Sequence, residues 1–280
     1  MISGRTPLYA VIGWPVSHSL SPAMQNAAFA AAGVDAVYVA LPVARAELAE
    51  ALRGAHALGI AGMNVTVPHK EAAVGLCAAL DPVARQVGAV NVLRRRDEGW
   101  EGHNTDALAV KGLLAEAGIG PGASGLVLGA GGAARAAAWA LLGLGAEVQV
   151  AARRPDAAGA LCQDLERSMG THPAAARPAA WEEVAALAIR SAVVLNATSV
   201  GLPGKSGQLP PLAWRSGQVA LDFVYGETQF ARSARGAGAR LVTGEEVLVR
   251  QGALAFRVWL GRPPPDDVMA RALAAQGGRA

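Results

Sequence analysis

Cysteine is scarce in this sequence of 280 residues: there are two, Cys77 and Cys162. They lie far apart in Ala/Leu-rich stretches, which excludes a disulfide framework and a cysteine-type metal spacing. Both read as small buried hydrophobes, and no metal site is expected. A chain without disulfides suits the cytosol, and no leader precedes the first strand-like run, "PLYAVIG", so a cytoplasmic location is expected. Basic runs are missing too. The densest cluster, Arg94-Arg95-Arg96, is followed at once by Asp97 and Glu98, and the net charge is only +3. A nucleic-acid surface needs many convergent Lys and Arg, so that partner is excluded. A small anionic ligand or a nucleotide cofactor fits the mild excess better. Long apolar runs are absent: the longest helix-like one, "AAAWALLGLGA", falls well short of the roughly 20 residues that cross a bilayer. Aromatics make up 5% of the chain while glycine reaches 34 residues, so helix–sheet packing must rest on small side chains. What remains is a core-building composition, 52% hydrophobic and 17% charged, long enough for two cores.

The chain alternates strand and helix. "LYAVIG" reads as a strand, and Ser21-Pro22 as a helix start with Ser21 at the N-cap. The strand "AVYVAL", the amphipathic "ARAELAEALRGAHALG" and the strand "GMNVTVP" follow. A helix is expected from about Glu71, a short one after Asp81-Pro82, and then the strand "AVNVLRR". This order predicts a largely parallel sheet covered by helices. From about Asp106 a helix, "DALAVKGLLAEAG", runs to the break "GIGPGASG", where a second alternating set begins. Its later strands are "AVVLNAT", "VALDFVY" and "ARLVTG", and the Ala-rich tract around 172–180 reads as a loop entering a short strand. Two helices, "EEVLVRQGALAFRVWLG" and "PDDVMARALAAQ", close the chain.

"SGLVLGAGGAAR" places Gly129, Gly131 and Ala134 in a G-x-G-x-x-A pattern between an apolar strand and a helix. The glycines allow a tight turn and a close backbone approach to a pyrophosphate, and the helix N-terminus favours the anion. The next strand, "EVQVA", ends in Ala152-Arg153-Arg154 instead of the carboxylate that would hold an NAD ribose. Two guanidiniums there suit a 2′-phosphate, so NADP is expected over NAD.

In the first half, polar groups gather at strand and helix ends. "GMNVTVPHK" alternates Met63, Val65 and Val67 with Asn64 and Thr66, then presents Lys70. "GWPVSHSLSP" supplies Ser19 and Ser21 at a helix start, which suits a carboxylate. Asn91 sits inside the apolar "GAVNVL", and a buried Asn needs partners. "GHNTDA" sets Asn104, Thr105 and Asp106 at a helix N-terminus, more than capping alone requires. A lysine moves protons well at neutral pH only where its surroundings make it do so, and a carboxylate such as Asp106 would position Lys70.

From end to end the chain resembles the shikimate dehydrogenase family, through "IGWPVSHSLSP", "NVTVPHK", "GAVNVL", "NTD", "GAGGAAR", "NATSVGL", "DFVY" and "QGALAFRVW" in order. The resemblance implies an α/β fold of two domains. A mostly parallel substrate-binding domain would span 1–107 plus 247–280, with C-terminal helices returning to it, and a Rossmann-type NADP domain would span 108–246. It implies reversible, NADPH-dependent reduction of 3-dehydroshikimate to shikimate, on the route to aromatic amino acids, in a cleft whose closure excludes water. Lys70 and Asp106 would be the catalytic pair, and Ser19, Ser21 and Tyr225 would hold the substrate carboxylate. Asn64, Thr66, Asn91, Asp106 and Gln251 would line the ring hydroxyls. Gly129, Ala130, Gly131, Gly132 and Ala133 would sit under the pyrophosphate, with Ala152, Arg153 and Arg154 near the 2′-phosphate. Thr198, Ser199, Val224 and Gly244 would border the nicotinamide. The sequence leaves the oligomeric state open, a homodimer included.

Departures from the family pattern are Gln25 in place of His, read as structural, and Ala152-Arg153-Arg154 in place of Asn-Arg-Thr. The segment after Tyr225, "GETQF", is shortened. His103 stands where Gly, Asp, Glu or an aromatic is usual, and reads as a solvated neighbour. The alternatives are an NAD-linked quinate/shikimate dehydrogenase and a non-catalytic NADPH-binding paralogue. The first tends to carry Thr at position 21 and an acid at 153; the second needs no Lys70–Asp106 pair.

Overall fold

The structure is a computed structural model that describes residues 2–170, 174–202 and 207–277. The elements run β1 (Leu8–Gly13), α1 (Ser21–Ala31), β2 (Val37–Pro42), α2 (Leu48–Ala57), β3 (Gly62–Val65), β4 (Ala79–Leu80), α3 (Pro82–Val87), β5 (Val92–Arg96), β6 (Gly99–His103) and α4 (Thr105–Glu116). They continue with β7 (Ser124–Leu128), α5 (Gly132–Leu142), β8 (Glu147–Ala151), α6 (Pro155–Met169), β9 (Ala176–Ala179), α7 (Val184–Arg190) and β10 (Val193–Asn196). The last are β11 (Val219–Asp222), α8 (Gln229–Gly236), β12 (Arg240–Val242), α9 (Gly244–Leu260) and α10 (Val268–Gly277). The chain divides into two units. One comprises Met1–Arg85, Ala89–Thr105 and Leu248–Ala280, the other Gln86–Gly88 and Asp106–Val247.

The first unit holds a sheet ordered β2-β1-β3-β5-β6-β4. β1 pairs in parallel with β2 and β3, and β4 with β6. β5 runs antiparallel to both β3 and β6. The expected strand "AVNVLRR" is β5, but its hairpin partner β6 was not expected from the sequence. Charges are paired across the ladder: the Arg94 guanidinium donates to Glu101 at 2.6 and 2.8 Å. The core behind the sheet is built from Ile12, Leu48, Leu52, Met63, Leu93 and Trp100 among others. A fully buried leucine such as Leu93 contributes roughly 1.5–3 kcal/mol. The C-terminal part of α9 and α10 belong to this unit. The Trp259 indole donates to the Leu93 carbonyl at 3.1 Å, and the Gln25 amide, fully buried, donates to the Gly252 carbonyl at 3.0 Å.

Three local expectations are corrected. Ser21 is the first residue of α1 and not its N-cap; Leu20 precedes it with helical backbone angles and offers no side-chain cap. The Ser21 N–H is taken instead by the Ser19 hydroxyl at 3.3 Å. No α-helix follows Glu71: Ala72–Leu76 is a 3-10 turn, and the chain returns to extended backbone at Cys77 to enter β4. The alternation of β3 stops at Val65, and Val67 is exposed.

The second unit is a wholly parallel sheet ordered β12-β11-β10-β7-β8-β9. The order reverses between β7 and β10, and ligands of such sheets bind outside the strand ends at that point. α5 buries Ala134, Ala136, Ala137, Ala138 and Ala140, the small-residue packing that the composition requires. Leu126, Leu128, Val194, Ala220 and Phe230 complete the core. The strand expected within 172–180 is β9; residues 171–173 lie outside the described residues. Among the described residues no helix is long and apolar enough to cross a membrane.

Candidate active site

In the first unit the polar side chains at the end of β3 and the start of β5 form a chain of amides. Asn64, buried, donates to the Asn91 carbonyl at 3.2 Å and accepts the Tyr38 hydroxyl at 2.7 Å. Asn91 is 2% exposed. Its Nδ2 donates to Thr105 Oγ1 at 2.9 Å and to Gln251 Oε1 at 3.4 Å, while its Oδ1 accepts the Thr105 N–H at 2.7 Å. Gln251 in turn donates to the Leu248 carbonyl at 2.9 Å. Asn104 donates to the Ala89 carbonyl at 2.8 Å. These bonds fix the strand β5, the start of α4 and the α9 face against one another. The expected buried Asn91 therefore does have partners, and both of its polar atoms are engaged.

Lys70 is half-buried, and its carbonyl accepts the Val90 N–H at 2.8 Å. The residue before it, His69, is fully buried and pairs through Nε2 with the Val43 carbonyl at 2.8 Å. The turn after β3 is thus pinned on both sides of the lysine stem. Thr66 is partly exposed, and its N–H donates to the Ile12 carbonyl at 2.9 Å. Ser19 is partly exposed and Ser21 buried, at the start of α1.

In the second unit Gly129 follows β7 with φ +114°, and a Cβ there would lie 2.8 Å from the Ala197 carbonyl oxygen. Only glycine lets the two strand ends approach so closely. Around the start of α5, Gly131 is exposed and Ala130, Gly132 and Ala133 are partly exposed. Gly131 is the N-cap, extended and without a capping side chain, so the first turn of the helix is presented to an anion by backbone alone. Ala152 is buried, and Arg153 and Arg154 are exposed at the end of β8.

At the ends of β10 and β11, opposite each other in register, Asn196 and Asp222 are both buried and bonded at 3.0 Å. Thr198 donates to Asn196 Oδ1 at 2.7 Å, Thr228 donates to Asp222 Oδ2 at 2.5 Å, and the Val224 N–H donates to Asp222 Oδ1 at 3.0 Å. Burial pushes the Asp222 carboxyl above its ordinary range, against the lowering effect of these hydrogen bonds. The network sets Thr198 and Val224 in place; Ser199 beside them is exposed. Gly244 fits under this loop, since a Cβ there would lie 2.7 Å from the Val224 carbonyl oxygen. The shortened segment is held by Glu245, which accepts the Gly226 N–H at 2.7 Å. Tyr225 is partly exposed, and its hydroxyl is pushed well above the usual phenol range by burial, then by the negative charges of Asp106 and Glu245. Asp106, itself 5% exposed, thus acts electrostatically on Tyr225.

Sequence reading missed Tyr38, and it missed the Asn196–Asp222–Thr228 network although "NATSVGL" and "DFVY" contain two of its members. It also misread His103, which is no solvated neighbour. Its side chain is 13% exposed and lies between two carboxylates, with Nδ1 3.4 Å from Asp81 and Nε2 3.6 Å from Glu101.

A family model for the shikimate dehydrogenase substrate binding domain matches residues 11–93, and one for the shikimate 5'-dehydrogenase C-terminal domain matches residues 244–274. The chain is 63% identical over 278 residues to the shikimate dehydrogenase (NADP(+)) of Anaeromyxobacter sp. (strain K), covering 99% of each. Shikimate dehydrogenase from Aquifex aeolicus superposes with TM-score 0.86 at 36% identity, covering 98% of this chain and 99% of that one. Shikimate 5-dehydrogenase from Thermus thermophilus, solved with NADP(H) and shikimate, superposes with TM-score 0.81 at 36% identity, covering 95% and 98%. With such identity along its whole length, the chain belongs to the shikimate dehydrogenase family.

Proposed function

We propose that this chain interconverts 3-dehydroshikimate and shikimate with NADP(H) in the cytosol, the first unit holding the substrate and the second the cofactor. The observation that carries the substrate side is the linked set Asn64, Asn91, Thr105 and Gln251. Its amides are locked by one another in the first unit, so they meet a polyol already oriented. Ser19 and Ser21 at the start of α1 take the substrate carboxylate, with Tyr225 as a further donor. Asn64, Thr66, Asn91, Asp106 and Gln251 take the ring hydroxyls.

The second unit fits the cofactor. The side-chain-free turn at Gly129 and the uncapped backbone of Gly131, with Ala130, Gly132 and Ala133, receive the pyrophosphate. Arg153 and Arg154, exposed beyond the buried Ala152, take the 2′-phosphate. Thr198, Ser199, Val224 and Gly244 border the nicotinamide. When bound, NADPH supplies the hydride. The chain itself manages the proton: Lys70 delivers one to the carbonyl oxygen as the alcohol forms and accepts it in the oxidative direction. Asp106 holds the lysine and the reacting hydroxyl in line.

The test is nicotinamide absorbance with shikimate or quinate, each against NADP+ and NAD+. Turnover of shikimate with NADP+ alone is the expected result. Preference for quinate and NAD+ would move the protein to a quinate dehydrogenase role, and no turnover despite NADPH binding would leave a binding protein on the same fold.

A further inference from the structure

His103 has no part in the family's motif, yet it is the residue from which the "NTD" triplet hangs. Its carbonyl accepts the Asn91 N–H at 3.0 Å, and it pairs in register with Val92. The next residues are Asn104, tied to Ala89, and Thr105, tied to Asn91. Its ring meets Asp81 through Nδ1 and Glu101 through Nε2, at 3.4 and 3.6 Å. Nε2 is buried and makes no hydrogen bond to any described residue.

A neutral imidazole has one donor nitrogen and one acceptor nitrogen. Two ionised carboxylates offer acceptors only, so a neutral ring would set a lone pair against one of them. A ring protonated on both nitrogens would instead face each carboxylate with an N–H, at ion-pair distance. Glu101 is already engaged by Arg94 and Arg96. Asp81 is engaged by no arginine among the described residues: its Oδ1 accepts the Ala84 N–H at 2.6 Å at the start of α3, which leaves Oδ2 for the histidine.

On β5 the Arg94 and Arg96 guanidiniums share Glu101 Oε2 with the ring and are the competing positive charges; the other surrounding elements add little. The 3-10 turn Ala72–Leu76 and strand β4, both against β6, carry no titratable side chain. Cys77, beside Gly102, is pushed up to about 11 by burial and stays neutral. Arg85 on α3 is directed to the Leu80 carbonyl at 3.4 Å, and His56 on α2 bonds the Arg96 carbonyl and meets Trp100 edge-on.

We propose that His103 is a positioning residue for substrate binding: seated between Asp81 and Glu101, its ring clamps the end of β6 to Asp81 and thereby fixes Asn91 and Thr105. The inference rests on the reading of Asn91 as a substrate-holding group. It gives the unusual residue at this position a task of its own.

The experiment compares wild type with His103→Gln, His103→Lys, Asp81→Asn and the double variant His103→Gln/Asp81→Asn. Kinetics are run with shikimate and NADP+, and the ring-nitrogen NMR spectrum of wild type is recorded at the assay pH. The expected spectrum shows both nitrogens of His103 protonated. His103→Gln raises KM for shikimate roughly five- to tenfold, the scale of a modest misplacement of binding groups, while KM for NADP+ changes less than about twofold. His103→Lys, which keeps a cationic donor, recovers most of the loss. A neutral ring in the spectrum overturns the proposal, as do unchanged KM values or equal rises for both substrates. If wild type turns over no shikimate, the proposed function fails. The spectrum and the coupling of His103 with Asp81 in the unfolding free energies of the variants then still decide the clamp, and zero coupling refutes it.

Discussion

Replacing Asn91 by Ala tests whether the amide chain is a structural unit as well as a binding surface. Asn91 and Thr105 are 2% and 1% exposed, so water cannot replace what is removed. Loss of Oδ1 leaves the Thr105 N–H, now donating at 2.7 Å, without an acceptor in a buried site, at about 1–3 kcal/mol. Loss of Nδ2 removes the 2.9 Å bond to Thr105 Oγ1, about 1 kcal/mol more. The sum is roughly 2–4 kcal/mol, a large share of the 5–15 kcal/mol typical of a folded domain. Urea unfolding followed by tryptophan fluorescence, with Trp100 buried in β6 of the same unit, should show the midpoint falling by about 0.7 M or more, given a slope of about 1–3 kcal/mol/M. Asn91→Asp separates the two halves of the loss. It keeps the acceptor for Thr105 but turns the donor into a second acceptor facing Gln251 Oε1. A carboxyl so placed is raised by burial, so its variant should be most stable in acid and lose stability as pH rises through the folded-state value. A loss below about 0.5 kcal/mol in Asn91→Ala, well under the cost of one unsatisfied buried donor, would refute the reasoning.

Three further outcomes are expected. Asp222 has a folded-state pKa above its unfolded value; its contribution is therefore full below the unfolded pKa and is lost as pH rises through the folded one. The melting temperature of Asp222→Asn relative to wild type should accordingly climb across that window and then level off, and a flat difference would contradict the assignment. Gly244→Ala drives a methyl to 2.7 Å from the Val224 carbonyl and should cost about 1–3 kcal/mol as overpacking; thermal unfolding indistinguishable from wild type would show that the loop yields freely. Arg153→Ser should raise KM for NADP+ about tenfold, the loss of one charge-assisted phosphate contact, and leave KM for NAD+ unchanged; equal effects on both cofactors would remove Arg153 from the 2′-phosphate.

Much of the molecule is legible in the sequence where the physics is local. The turn at Gly129 needs a residue that tolerates φ +114° beneath Ala197, and the G-x-G-x-x-A spacing announces it. Arg153 and Arg154 directly follow β8 and are exposed at the strand end. Asn91 betrays itself as an amide in an apolar run. What was not legible depends on pairings between distant segments. The Asn196–Asp222 bond exists because β10 and β11 lie side by side in a register that sets those two residues opposite. Tyr38 reaches Asn64 only because β2 and β3 both flank β1. Of the β5–β6 hairpin only β6 went unread, since the pairing of its Glu101 with Arg94 across the ladder appears only once the strands are aligned. Ser21 was misplaced by one residue because Leu20 is already helical and Ser19 takes the first N–H.

The central claim is that the turn after β3 presents Lys70 as the proton-transfer group to a substrate held by its neighbours. Lys70→Ala, assayed for turnover and, by calorimetry, for shikimate binding, tests it most directly. The variant's kcat should be lower by about 10²–10⁴-fold, the usual worth of a positioned acid–base group, with the shikimate dissociation constant within about tenfold of wild type, a change of about 1.4 kcal/mol. Turnover near the wild-type rate, or loss of binding with kcat retained, would contradict it.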